Sequence, residues 1–552
     1  MPIPGGPRPV GASPRPLSEI RARIRARPAP WSPPPAAPAD VRVTGVTLSS
    51  LAVRPGDLYA ALPGAHAHGA AYTGQAVRAG AVAVLTDPAG QELIELAGAD
   101  VGVPVLVVPQ PRAVLGDLAA WIYGEPGQRL LTFGVTGTNG KTTTTFLLES
   151  ALRRLERRTG LIGTIEIRVG TERVLSTGTT PEAPDLHALL AVMCEHEVTA
   201  VAMEVSSHAL DQRRVDGLLI DVAGFTNLSQ DHLDYHHTLQ AYFEAKAQLF
   251  TPRHARCGVI CVDDAWGRRL AATAAVPVTT VASRLPEDGG APADWQVRRR
   301  TPARGGLTAI ELDGPAGALA LTCPLPGDFN IANTVLAVAM LAASGVDPTA
   351  AAAAVQRADA VPGRMEPVTG TGRPGEPLAV VDYAHTPDAV EAALAALTGR
   401  GWPLVVVLGA GGDRDAAKRP RMGAAAARAA DVVIVTDDNP RSEDPAAIRA
   451  AVLRGAAQEA SRSGAVVLEI ADRRSAVAEG VARAWQGGVL LVAGKGHEQG
   501  QDAGGVVLPF DDRVVVHEVL CTVQPRAVDR TAGAPVSGPD RGGHQEQKET
   551  QR

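Results

Sequence analysis

Short apolar runs, each ending in polar or glycine residues, recur along most of the chain and alternate with longer stretches of helical character. From residue 41 to about 121, Ala81–Thr86 and Val103–Val108 predict strands between helical pieces. A second block opens at Leu130–Phe133 and continues with Thr199–Val205, Asp221–Asn227 and Gly258–Val262. A third, from about Pro362, holds Leu378–Tyr383, Leu404–Gly409, Val432–Thr436 and Val489–Ala493. Strands separated by connecting segments, each followed by a polar cluster, predict an α/β protein. Its parallel sheets would carry ligands at the carboxyl ends of strands, in clefts shared between domains.

The pattern divides the chain into a small N-terminal α/β domain (41–125), a central parallel-sheet domain (126–360) and a C-terminal Rossmann-like α/β domain (361–525). Residues 1–40 are rich in Pro and Arg and include Pro33-Pro34-Pro35, whereas residues 526–552 are rich in Gly, Gln, Arg, Glu and Lys. Both have little to bury and are predicted to be disordered.

Composition narrows the function classes. At 552 residues, of which 45% are apolar, the chain has room for about three domains of ~150 residues, each with a substantial core. A net charge of −6 argues against a dominant nucleic-acid surface, so anionic ligands need local devices such as helix N-termini and placed arginines. The five cysteines include no CxxC pair, which favours free thiols in a reducing compartment over disulfides or zinc. The N-terminus lacks the apolar core of a secretory signal, and no apolar run approaches the ~18 residues of a membrane span. The expectation is a soluble cytoplasmic protein.

The strongest chemical signal is Gly134-Val135-Thr136-Gly137-Thr138-Asn139-Gly140-Lys141-Thr142-Thr143-Thr144, between the Leu130–Phe133 strand and a predicted helix over Phe146–Leu155. A glycine-rich turn before a helix N-terminus presents backbone N–H groups to phosphate. Lys141 can reach the outer phosphates and Thr142 can offer its hydroxyl to Mg2+. The loop departs from the common spacing, with Val135 where the first glycine of that pattern stands. Glu204, at a strand end in Glu204-Val205-Ser206-Ser207-His208-Ala209-Leu210, can serve a metal ion or a helix N-terminus. Asn227–His236 packs two carboxylates and two histidines into one turn, a candidate ion or substrate site or a solvated loop. Lys246, on an amphipathic helix, reads in isolation as a surface lysine; Asn333 reads as a helix-surface residue and Arg364 as a linker residue.

Taken in order, Gly-Thr-Asn-Gly-Lys-Thr-Thr, Glu-Val-Ser-Ser-His-Ala-Leu, the Asn227–His236 segment and Tyr242-x-x-x-Lys246-x-x-Leu249-Phe250 resemble the Mur ligases of peptidoglycan synthesis. The resemblance covers nearly all of residues 41–520 and is greatest to members that add the third amino acid. It implies an ATP-dependent acid–amino-acid ligase, requiring ATP and Mg2+, that acts on UDP-MurNAc-L-Ala-D-Glu and works as a monomer. It assigns catalysis to Lys141, Glu204, His232 and Lys246. It assigns metal binding to Thr142, Glu204, His232 and a carbamylated Lys246. ATP contacts fall on Gly137, Thr138, Asn139, Gly140, Lys141, Thr142, Thr143, Asn333, Arg364 and Asp382. The UDP-sugar dipeptide falls to Leu48, Ser50, Thr179, Thr180, Ser206, Gln212 and Arg214. In the N-terminal domain Leu48-Ser49-Ser50-Leu51 stands where relatives carry Leu-Asp-Ser-Arg, and His68 where they carry Asp, so weaker or rearranged uridine binding is expected.

The amine to be added is chosen in the C-terminal domain. Arg414, Asp438-Asn439-Pro440-Arg441 and Gly494-Lys495-Gly496-His497-Glu498 each follow a predicted strand. Diaminopimelate has a second amino-acid end, whose carboxylate needs a cation and whose ammonium needs an anion. Arg441 and Glu498 supply that pair, with Asp438 and Asn439 beside them. Lysine lacks the distal carboxylate and would leave Arg441 unpaired. Asp-Asn-Pro-Arg also resembles the diaminopimelate-type sequence, and Arg414, Pro440 and Gly494 complete the expected site. The competing readings are a lysine-adding or folylpolyglutamate-type ligase and, from another class, a nucleotide-binding regulatory protein without turnover.

Overall fold

The computed structural model describes residues 6–11, 13–29, 41–64, 67–98, 101–176, 178–303 and 307–522. The predicted disordered tail, 526–552, lies outside the described residues.

Three sheets carry the fold. The N-terminal sheet orders its strands Arg27–Pro28, Val105–Val107, Ala83–Thr86, Asp57–Ala60 and Gly45–Thr47. The central sheet has eleven strands. Its middle is parallel, with Leu131–Thr136 between Ala200–Glu204 and Ile220–Phe225. Neither neighbour is the next strand in sequence, so the chain reverses direction across the sheet beside Leu131–Thr136. Such a switch point opens a crevice at the carboxyl ends of the strands. Both edges are antiparallel: Glu166–Val169 with Glu172–Leu175 on one side, and Trp295–Pro302, Thr308–Gly314 and Gly317–Thr322 on the other. The sequence reading had not anticipated these hairpins, because their polar alternation makes no continuous apolar run. The C-terminal sheet runs Glu366–Val368, Leu378–Asp382, Val489–Ala493, Leu404–Leu408, Val432–Val435 and Val466–Glu469, parallel except at the first strand.

Helices cover both faces of the central sheet. Lys141–Arg154 and Asp328–Ala343 bury Leu147, Leu152, Val335 and Leu336 on one face, and Ala183–Glu195 buries Leu186, Leu190 and Met193 on the other. At about 1.5–3 kcal/mol for each fully buried large apolar side chain, these layers hold the strand ends rigidly in place.

Residues 15–29 differ from the predicted disorder. They form a strand at Arg15–Pro16, a helix at Leu17–Arg23 and the edge strand Arg27–Pro28. The physical reason is a few apolar residues spaced along one helix face: Leu17, Ile20 and Ile24 are buried against the N-terminal core. The Arg15 and Arg23 guanidiniums stack on Trp121. Arg8 enters the same region, buried beside Asp57 and hydrogen-bonded to the Tyr123 hydroxyl.

Candidate active site

Two glycines shape the phosphate loop. Gly137 has φ +146° and Gly140 has φ +89°, and a Cβ would meet Thr226 Oγ1 at 1.8 Å in the first case and Asn333 Oδ1 at 2.3 Å in the second. The loop is stitched to the neighbouring strand end: Asn139 N–H donates to Asn227 Oδ1 (3.0 Å), and the Thr226 hydroxyl donates to the Asn139 carbonyl (2.6 Å). The helix Lys141–Arg154 then starts with its N–H groups facing the loop. Lys141 Nζ folds back on the carbonyls of Gly137 and Thr138, 2.9 Å from each. Burial pushes its pKa down, opposed by Glu204 and Asp231.

Glu204 ends the adjacent strand and is fully buried. It accepts hydrogen bonds from the Thr142 hydroxyl (3.0 Å), the Thr164 N–H (2.8 Å) and the Thr164 hydroxyl (3.1 Å). Arg364, from beyond the central sheet, donates to Thr142 Oγ1 at 3.0 Å and lies over the Tyr383 ring. Lys246 is 1% exposed, which corrects the reading of the isolated lysine as a surface residue. Its helix packs inward through Tyr242, Phe243 and Ala245, and Nζ donates to the Gly137 carbonyl at 2.7 Å. Burial and the nearby Lys141 cation hold its pKa well below the usual lysine range.

A cavity of about 700 Å3 extends from the loop residues Thr138–Thr142 across to the C-terminal sheet. Glu204, His232 and Arg364 line it beside the loop. Thr179, Thr180, Ser206 and Arg214 form a second wall. Arg214 is fixed by Thr180 O (3.0 Å), Gln212 Oε1 (2.7 Å) and Glu182 (2.9 Å), so Gln212 acts from behind the wall. The far wall holds Arg414, Asp438, Asn439, Arg441, Gly494 and Glu498, brought together because their strands are neighbours in the sheet. Asn439 Nδ2 donates to Glu498 Oε2 at 2.7 Å, and Arg441 donates to the Gly412 carbonyl at 2.6 Å. Burial, then the neighbouring Asp438, raises the pKa of Glu498.

Other predicted residues stand outside the cavity wall. Gly137, Thr143, Lys246 and Pro440 do not line the cavity. Asn333 is buried against Gly140, its Oδ1 accepting from Thr144 Oγ1 at 3.4 Å. Asp382 accepts from Met365 N–H at 2.7 Å and so shapes the segment carrying Arg364. Leu48 and Ser50 lie in the turn after the N-terminal strand Gly45–Thr47, where Leu48 packs against the core and Ser50 Oγ donates to Gln75 Oε1 at 3.2 Å. Nearby, His68 Nδ1 accepts from Ala70 N–H (3.0 Å) and Nε2 lies 3.1 Å from Asp87 Oδ1. An acidic group from another strand end thus stands beside the histidine found where the resemblance leads to an aspartate.

Sequence reasoning had not singled out Thr164, Tyr383, His385, Lys418, Lys495 or Arg473. Strand-end position could have flagged Tyr383, His385 and Lys495. Arg473 carries no local signal: it is fully buried on Asp512 and donates to the Asp437 and Ala493 carbonyls (3.3 and 3.0 Å), just before Asp438 and Gly494.

Known proteins share this architecture. Three family models match in order: "Mur ligase family, catalytic domain" over residues 42–123, "Mur ligase middle domain" over 135–341 and "Mur ligase, glutamate ligase domain" over 363–496. The UDP-N-acetylmuramoyl-L-alanyl-D-glutamate–2,6-diaminopimelate ligase of Streptomyces avermitilis is 51% identical over 95% of this chain and 100% of its own length. That of Streptomyces coelicolor is 52% identical with the same coverage. A solved structure of a ligase of that name superimposes with a TM-score of 0.59 at 33% identity, covering 87% of this chain and 95% of its own. With all three models matched in register and relatives aligned along almost the whole length, the chain belongs to the Mur ligase family.

Proposed function

We propose that the chain is an ATP-dependent ligase that joins diaminopimelate to the D-Glu of UDP-MurNAc-L-Ala-D-Glu in peptidoglycan precursor synthesis. The observation that carries this reading is the single cavity joining a phosphate loop to a cluster of Arg414, Arg441, Asp438 and Glu498. The γ-phosphoryl group of ATP passes to the D-Glu γ-carboxylate, releasing ADP and forming an acyl phosphate. The neutral amine of diaminopimelate attacks the acyl carbon, loses its proton, and inorganic phosphate leaves as the amide forms.

The chain's own groups position these charges. Loop N–H groups and Lys141 hold the outer phosphates, Arg214 takes a peptide carboxylate, and Arg441 with Glu498 takes the distal end of diaminopimelate. The packing of Arg364 on Thr142 supports a C-terminal domain that closes over the central one and excludes water.

The residues present fit Mg2+. The Thr142 hydroxyl and Glu204 carboxylate, 3.0 Å apart, are hard oxygen donors, and Mg2+ accepts a few of these when phosphate and water supply the rest. Bound there, the ion would neutralise phosphate charge. His232 flanks the same corner, and carbamylation of buried Lys246 would turn a cation beside Lys141 into an oxygen ligand. A monomeric working unit belongs to the same reading. The nucleotide-linked substrate and free thiols support a cytoplasmic location.

Phosphate release by purified protein given ATP, UDP-MurNAc-L-Ala-D-Glu and one of meso-diaminopimelate, LL-diaminopimelate or lysine tests the reading. Release is expected with a diaminopimelate isomer. Release with lysine alone would overturn the amine assignment, and none with any amine would favour a regulatory nucleotide-binding protein.

A further inference from the structure

Lys495 is fully buried behind the far wall of the cavity, next to the lining residues Gly494 and Glu498. Its Nζ donates to Asn439 Oδ1 at 2.8 Å and lies 3.5 Å from Glu498 Oε2 and 3.8 Å from Asp438 Oδ1. The Asp502 N–H also donates to Asn439 Oδ1, at 3.0 Å. Two donors on one oxygen fix the orientation of the carboxamide, because only a carbonyl oxygen can accept both. Nδ2 must then point to Glu498, where it donates to Oε2 at 2.7 Å. Glu498 Oε2 is thereby occupied, while Oε1 has, among the described residues, only the Tyr383 hydroxyl at 3.5 Å.

We infer that Lys495 is a positioning residue for amine recognition. It holds Asn439, and through it Glu498, so that one carboxylate oxygen is left for the substrate's distal ammonium. The inference rests on the diaminopimelate reading above. Charge points the same way. Asp438 and Glu498 without Lys495 would be two adjacent carboxylates, a site suited to a bare ammonium. With Lys495 they carry one net negative charge beside Arg441, which matches a head group bearing one ammonium and one carboxylate. A buried ammonium is costly, and apolar replacements of buried ion pairs are often neutral or stabilising, so packing alone does not account for this lysine.

The test is steady-state phosphate release with Lys495→Met, varying each substrate in turn. The KM for diaminopimelate should rise roughly ten- to hundredfold, the scale of a hydrogen bond to a charged group. The KM values for ATP and for the UDP-linked dipeptide should not move. Preference for diaminopimelate over lysine should narrow, and Lys495→Met combined with Asn439→Ala should be less than additive. An unchanged KM for diaminopimelate, an equal rise in all three KM values, or strict additivity would overturn the proposal. Should Lys495→Met fail to fold, Asn439→Asp keeps an oxygen for Lys495 but removes the donor to Glu498. It should produce the same selective rise, and an unchanged KM would overturn the proposal. Wild-type protein inactive with every amine would remove the underlying reading and this proposal with it, whereas active wild type with an unaffected Lys495→Met removes this proposal alone.

Discussion

The two ends of the cavity hold charge by different means. At the phosphate end the donors are backbone N–H groups of a loop a few residues long, with Lys141 and Thr142 following directly in sequence. The loop's shape is enforced by two glycines that touch Thr226 and Asn333. At the amine end the groups are side chains from loops far apart in the chain. Gly411–Arg414, Asp438–Ser442 and Gly494–Glu498 are stitched by Gly412 N–H to Asn439 O (2.9 Å), Ser442 Oγ to Asp413 (2.7 Å) and Lys495 to Asn439. Arg419 adds a paired contact to Glu443 and a bond to the Gly411 carbonyl. A backbone cradle binds any phosphate, whereas a side-chain network can discriminate between amines. Under the function proposed above, the chemistry common to such ligases would belong to the first end and the choice of substrate to the second.

The largest effect should come from the phosphate end. Lys141→Ala removes the cation that directly follows the loop and lines the cavity, and kcat should fall about 1,000-fold or more, on the scale of lost transition-state charge stabilisation. Phosphate release at saturating substrates measures it, and near-normal turnover would show that the loop only binds. At the amine end, Arg441→Ala should reduce kcat/KM for diaminopimelate by about 100-fold and leave the KM for ATP unchanged. A comparable rise in the KM for ATP would erase the division of labour between the two ends.

The same difference explains what was legible in the sequence. Strand runs such as Val489–Ala493 and Leu404–Leu408 are apolar along their whole length and stand out without a structure. The phosphate loop is equally local, since its glycines, Lys141 and Thr142 are consecutive. Lys246 is the opposite case. Its helical context is ordinary, and only the packing of Tyr242 and Phe243 shows that its ammonium points inward at Gly137. Resemblance to the Mur ligases singled it out where residue type alone did not. Lys495 and Arg473 were missed because Asn439 and Asp512 lie 56 and 39 residues away in the chain and meet them only in the fold. The hairpins at the edges of the central sheet were missed because half of each strand faces solvent.

The seam between the two ends gives the expected effect that depends on pH, read on stability rather than on turnover. His385 follows the strand Leu378–Asp382, and its Nδ1 lies 2.8 Å from the Tyr383 carbonyl. Burial pushes its pKa down to about 4, Lys418 and Arg364 add to the shift, and Asp231 of the central unit opposes it. An unfolded histidine binds a proton near pH 6.5, so between there and about 4 the unfolded chain holds a proton that the folded one refuses. Stability from this group is complete above pH 6.5 and is lost as the pH falls toward 4, on the order of 3 kcal/mol at the limit. His497, pushed down to about 3 mainly by burial, acts in the same direction, so only the difference between wild type and variant isolates His385. His385→Gln, neutral throughout, should flatten the fall in thermal midpoint between pH 7 and 4.5. Parallel curves for the two proteins would show that the folded chain does not hold His385 in its neutral form.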